Sequence, residues 1–102
     1  MEKNIIVKIH KSYRNVISIC DGDLLGKKFE EENKQLDLSG KFYEGEKVNE
    51  EELREIIFDW IKEDATFNIV GEKSIRIGLN LGIISEEGVK RIQNIPFSFV
   101  LL

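Results

Sequence analysis

Few side-chain arrangements in these 102 residues could attack a substrate, move a proton or hold an ion. A thiol and its base would have to be Cys20 and His10, the sole residues of their types. Both lie in alternating apolar segments, residues 4–10 and 16–21, which pair as a hairpin with Ile9 against Ile17 and Val7 against Ile19. That register sets Cys20 beside Ile6, four residues from His10, or about 13 Å at a strand rise of roughly 3.3 Å. A nucleophile cannot be activated across that gap. His10 is expected at the surface or rim, and Cys20 as a small, half-buried residue near a strand end. One cysteine and one histidine also exclude a structural zinc site within the chain.

Phosphate and cation chemistry fare little better. The run from Gly22 to Lys28, GDLLGKK, places three residues between its glycines where a phosphate loop has four, and no Ser or Thr follows the lysine. Asp21-Gly22-Asp23 lacks the other ligands of a calcium loop. The acidic run from Glu44 to Glu55 serves helix capping and solvation first. No cofactor is implied. Thr66, Asn68, Glu72 and Lys73 surround a strand-to-helix turn, where ligands often sit, and the deepest pocket is expected there. Without a nearby histidine or cysteine this remains the weakest of the functional readings.

The other candidates are basic. Lys8, Lys11, Tyr13 and Arg14 belong to the first hairpin, and Lys27 and Lys28 are expected beside them. Cations around an exposed aromatic can hold phosphates and stack a base. The same charges would also discourage edge-to-edge pairing of a solvated hairpin.

These residues must be positioned by elements that the sequence pattern predicts. After the first hairpin, with Ser12-Tyr13-Arg14 at its loop, comes a turn with one helical turn around Leu24 and Leu25. Residues 30–34 read as a charged connector, Gln35 to Leu38 as a third strand, and Phe42 and Tyr43 as anchors for a glycine-containing loop. Residues 49–62 form an amphipathic helix. Asn49 and Glu52 make a capping box, Val48 and Leu53 a staple, and Leu53, Ile56, Ile57, Trp60 and Ile61 the inner stripe. Thr66 to Val70 reads as a strand. The next segment alternates like a strand, but it ends Leu81-Gly82-Ile83-Ile84, the pattern of a helix closed by a left-handed glycine. The spacing of Ile75, Leu79 and Ile83 agrees, so residues 72–81 are read as a buried helix, with Gly78 and Gly82 allowing close approach. Residues 89–93 and 97–101 form a closing hairpin around Asn94-Ile95-Pro96, with Phe97, Phe99 and Leu101 on one face.

The element order predicts one α+β domain over residues 1–102, a mostly antiparallel sheet with two packed helices. Composition fits a folded protein, 41% hydrophobic and 33% charged. No apolar run approaches the roughly 20 residues of a membrane span, and no cleavable leader is visible, so no membrane role and a cytoplasmic location are expected. The net charge of −4 is uneven. Residues 1–28 carry six Lys and Arg against three acids, whereas residues 29–64 carry five against thirteen. A basic end is therefore available for nucleic acid on an acidic protein.

Cys20-Asp21, Leu24-Leu25-Gly26-Lys27 with Phe29, Phe42-Tyr43, Thr66 with Asn68, Val70-Gly71-Glu72-Lys73, and Gly82 before Ile83-Ile84 recur in order along nearly the whole chain. In these motifs the sequence resembles the archaeal domain-of-unknown-function family 424. The resemblance implies a stand-alone cytosolic archaeal protein and a helix after Gly71, and by context an association with translation factors. It implies no activity. The chain departs from the family at Gln93-Asn94, where glycine is usual.

Two functional expectations follow. The first is a non-catalytic protein that binds RNA or a ribonucleoprotein through the first hairpin. The second is a protein-interaction module, a homo-oligomer or an adaptor, using the acidic helix or the closing hairpin.

Overall fold

Alternation in the first two segments gives strands β1 (Ile5–His10) and β2 (Val16–Asp21), antiparallel in the register Ile9 to Ile17, Val7 to Ile19 and Ile6 to Cys20. The molecule is seen as a computed structural model, which describes residues 2–101. A 3-10 turn (Gly22–Leu24) follows, then β3 (Lys28–Glu31) and β4 (Lys34–Asp37), which pair only with each other. A second 3-10 turn (Lys41–Tyr43) leads to β5 (Glu46–Val48), helix α1 (Glu50–Ile61) and β6 (Thr66–Val70). Helix α2 (Glu72–Leu81), a last 3-10 turn (Glu86–Gly88), β7 (Lys90–Ile92) and β8 (Ile95–Val100) complete the chain.

Six strands form one sheet in the order β5-β1-β2-β6-β8-β7. Every pairing is antiparallel except β2 with β6. Both helices cover one face. Ile5, Val7, Ile17, Ile19, Phe67 and Ile69 of the sheet pack there against Leu53, Ile57, Ile75 and Ile77. The α+β class and the two packed helices are as the pattern predicts.

The opposite face is apolar too. Ile6, Cys20 and Val70 point away from the helices and are covered by Leu24, Leu36, Leu38, Tyr43 and Ile92. This second core accounts for the segments that alternation did not reveal. Residues 30–34 are not a connector but the turn and flanks of the β3–β4 hairpin, whose inward residues are Phe29 and Leu36, directly opposed. Its other side chains are charged or amide-bearing and exposed, so no period shows in the sequence. Cys20 is fully buried between the two layers rather than half-buried.

The closing hairpin is also shifted from its expected place. Ile92 pairs with Ile95, leaving the two-residue turn Gln93-Asn94, both with positive φ (49° and 66°). Two successive left-handed residues match the twist of a hairpin, and glycine or asparagine adopts them most readily. Pro96 sits inside β8 rather than in the loop. It lacks a donor at a point where none is needed, because the Gly71 carbonyl opposite already accepts from the Ile75 amide at 2.9 Å.

Helix α1 begins on the predicted capping box. The Glu52 amide donates to Asn49 Oδ1 at 2.8 Å, and the Asn49 amide donates to Glu52 Oε1 at 3.0 Å. Trp60 is half-buried against the helix-side core, and Phe58, off the stripe, is exposed. Helix α2 closes on Gly82 in the left-handed conformation, and Ile83 and Ile84 donate back to the Gly78 carbonyl. Close packing falls on Gly78 alone, where a Cβ would collide with Ile84; beside Gly82 there is open space.

Replacing Asn49 by Ala is expected to cost about 1 kcal/mol in urea unfolding, with unchanged m-value. The Asn49 amide holds the Glu52 carboxyl below its usual range. A lowered native value means that this contribution is present at neutral pH and fades as the pH falls through it.

Candidate functional site

The turn between β6 and α2, where a ligand was expected, is already filled. Asp21, at the end of β2, is buried and directs its carboxylate at the start of α2. Oδ2 accepts from the Lys73 amide at 3.0 Å, while Oδ1 accepts from the Ser74 amide at 2.9 Å and the Ser74 hydroxyl at 2.7 Å. A carboxylate there satisfies the free amides and the positive end of the helix dipole, as a bound anion would. Gly71 makes room for it: φ is +109°, and a Cβ would collide with the Asp21 carboxyl.

Thr66, Asn68, Glu72 and Lys73 therefore do not converge on a pocket. Phe67 and Ile69 point into the helix-side core, so Thr66 and Asn68 lie on the other face of the sheet. Thr66 Oγ1 is buried with no hydrogen-bond partner among the described residues. Glu72 is exposed and bonds the Arg91 guanidinium at 3.1 Å.

The basic candidates are dispersed as well. Tyr13 is fully exposed at the hairpin tip, where the Ser12 hydroxyl donates to the Arg14 carbonyl at 2.7 Å. A shallow depression there is shared by Tyr13, Arg14 and Asn15 with Glu63 and Asp64, so carboxylates offset the cation. Lys8 lies on the body of β1, its ammonium 3.4 Å from the Lys41 carbonyl. Lys27 and Lys28 follow the far end of β2, about 20 Å from the tip for six residues at roughly 3.3 Å each, and Lys28 pairs with Glu30 at 3.9 Å. They are not adjacent to Lys11 and Arg14, because the length of β2 separates them.

His10 and Cys20 are structural. His10 Nε2 lies 2.9 Å from the Phe42 carbonyl, which can only accept, so that nitrogen carries the proton. The imidazole also stacks on the Phe42 ring at 4.2 Å, and the Ser18 hydroxyl donates to the same carbonyl at 3.0 Å. His10 is thus part of a latch that fixes the second 3-10 turn to the sheet, not a free rim residue. Burial, with Asp21 and Asp23 nearby, pushes the Cys20 thiol up to about 12. Burial likewise raises the Tyr43 hydroxyl to about 12.

A groove of about 880 Å³ lies elsewhere, between β4 and the β7–β8 hairpin. Lys34 and Gln35 form one wall, Lys90 and Ile92 another, and Phe97 and Phe99 contribute rings. Those rings are 5.7 Å apart at 53°, and Phe99 is 60% exposed. No carboxylate is among the lining residues. Lys90 opposes Phe97 on the face of the rings, whereas Arg91 alternates to the α2 side of β7, where its Nη1 donates to Glu72 at 3.1 Å and to the Asn94 carbonyl at 2.9 Å. The alternation of Phe97 and Phe99 was visible in the sequence, but the cations come from two segments more than fifty residues apart.

Among the described residues no three His, Cys, Asp or Glu side chains gather as a metal site, and no helix is long and apolar enough to cross a membrane. The family model described as "Protein of unknown function (DUF424)" matches residues 9–102. The chain belongs to this family. No curated protein matches it. Among solved structures it is similar to an uncharacterized conserved protein from Methanopyrus kandleri, with 22% identity and a TM-score of 0.82 over 95% of this chain and 91% of the other. At that identity the likeness speaks for the DUF424 fold and not for a ligand.

Two measurements check the structural roles. Asp21→Ala should lower stability by about 2–3 kcal/mol, since it strands a buried hydroxyl and two helix amides. Native Cys20 should resist iodoacetamide at pH 8 and become modified at the rate of unfolding, because only the thiolate reacts.

Proposed function

We propose that this protein is a non-catalytic RNA-binding component of a ribonucleoprotein, acting in the archaeal cytoplasm through the β4–β7–β8 groove. The observation that carries the reading is the lining of that groove: Lys34 and Lys90 beside the exposed Phe99 ring, with no carboxylate among the lining residues, on a chain of net charge −4. Cations beside an aromatic platform complement a phosphodiester backbone and an unstacked base. A binding role gains further support from the groups that could have done chemistry. The Cys20 thiol is buried, His10 is latched to Phe42, and the turn before α2 is occupied by Asp21. The association with translation rests on the family resemblance.

A second reading draws on one observation. Phe99 and Leu101 are 60% and 75% exposed, and the segment from Phe97 to Leu101 carries no charge. β8 lies between β6 and the short edge strand β7, which pairs only with residues 95–97, so the uncharged, apolar end of β8 is left to invite contact with another chain, including a second copy.

Fluorescence anisotropy with a labelled single-stranded RNA separates the alternatives. Lys34→Ala with Lys90→Ala should weaken binding and flatten the dependence of log K on log salt by about 1.4, or roughly 0.7 per phosphate contact. Lys11→Ala with Arg14→Ala should leave both unchanged. The reverse result moves the site to the first hairpin. Absence of binding at low salt, with dimers in analytical ultracentrifugation, favours the second reading.

A further inference from the structure

Asn68 lies directly opposite Phe99 in the β6–β8 register, so the two side chains share the sheet face away from the helices. Directly opposed residues hold their Cβ atoms about 5 Å apart. On the other side of Asn68, parallel β2 places Ser18, whose hydroxyl is committed to the Phe42 and Lys8 carbonyls. The Asn68 carboxamide forms no hydrogen bond with any described residue, and it is half-exposed. An unengaged amide, with one acceptor and two donors, thus stands beside an exposed phenyl ring. Phe97 packs against that ring at 5.7 Å and limits its lean. The cations of the groove lie on the opposite flank of Phe99.

We propose that Phe99 and Asn68 form a base-reading subsite for single-stranded RNA, and that adenine is the base it prefers. The inference rests on the RNA reading above. The strand crosses β8 with its phosphates against Lys34 and Lys90, one base stacks on Phe99, and the Asn68 amide bonds the edge of that base. Stacking alone tolerates any base, since each has a π face. The amide adds selectivity. It matches adenine in two bonds at once, donating to N7 and accepting from the N6 amino group, whereas guanine offers two acceptors at the same edge. A buried aspartate or lysine in this position could not pair both ways. The half-exposed Asn68 can do so without leaving an unsatisfied group when no RNA is bound.

The test compares oligo(A), oligo(U) and oligo(C) of equal length on wild-type protein and three variants, at fixed salt. Wild type should bind oligo(A) about tenfold more tightly than the pyrimidine strands. Asn68→Ala should bring the three within about twofold while leaving the salt slope unchanged. Phe99→Ala should weaken all three roughly 5- to 150-fold, the equivalent of ~1–3 kcal/mol for a lost stack, and Phe99→Tyr should restore them. Both positions are solvent-accessible, and a thermal melt of each variant confirms that it folds. RNA binding with a steep salt slope but no base preference, or a preference that survives Asn68→Ala, overturns the subsite and leaves the RNA reading standing. No binding of any oligonucleotide overturns both.

Discussion

The carboxylate of Asp21 joins parts of the chain that are fifty residues apart. Its three hydrogen bonds fix the first turn of α2 to the end of β2. The consequences run outward from there. Gly71, held in an extended positive-φ conformation against Asp21, donates to the Pro96 carbonyl at 2.8 Å and so sets the start of β8 on β6. Glu72, the first residue of the helix, ties α2 to Arg91 of β7. The position of the cations and rings on β7 and β8 therefore depends on a buried carboxylate at the centre of the sheet. In many α/β proteins a ligand takes that place beyond the ends of parallel strands. Here the parallel pair β2–β6 ends on a side chain of the protein itself, and the groove proposed to bind RNA lies at the edge of the sheet.

The second core has a related effect. An antiparallel sheet with helices on one face can leave the other to water, with alternation of apolar and polar residues. This sheet instead buries Ile6, Cys20 and Val70 on its second face, and the β3–β4 hairpin lies over them. The hairpin is tied to the closing turn, where the Gln93 amide and side chain donate to Glu31 Oε1 at 2.8 Å and to the Glu30 carbonyl at 2.6 Å. Those contacts hold Gln93 and Asn94 in the left-handed region that glycine would occupy at less cost. The same docking brings Lys34 across from Lys90, which closes the groove.

Where the code is local, the sequence was legible. The capping box at Asn49, the strand from Thr66 to Val70, the helix ended by Gly82 and the β1–β2 register each rest on residues within one turn or one pair of strands, and each appears where the pattern places it. Strands β3 and β5 were not legible, because Lys28–Glu31 half-buries only Phe29 and Glu46–Val48 buries only Val48, and both otherwise face water. The turn at Gln93-Asn94 was misplaced because Pro96 looked like a loop residue, and only the neighbouring helix start shows why a proline fits there. The candidate site was the least legible part. Nothing in the sequence shows that Asp21 fills the turn after Gly71, or that Lys34 and Lys90 line one groove, because both depend on how distant segments dock.

The central claim is that ligand binding belongs to the β4–β7–β8 edge and not to the tip of the first hairpin or the turn before α2. Amide chemical-shift mapping reads this most directly, by titrating the ¹⁵N-labelled protein with a short single-stranded RNA and following every backbone resonance. The largest changes are predicted at Lys34 and Gln35, from Lys90 to Ile92, and from Phe97 to Phe99, with Asn68 among them and Lys73 and Ser74 unmoved. Changes centred on Lys11 to Arg14, or a spectrum that RNA leaves unaltered, would contradict it.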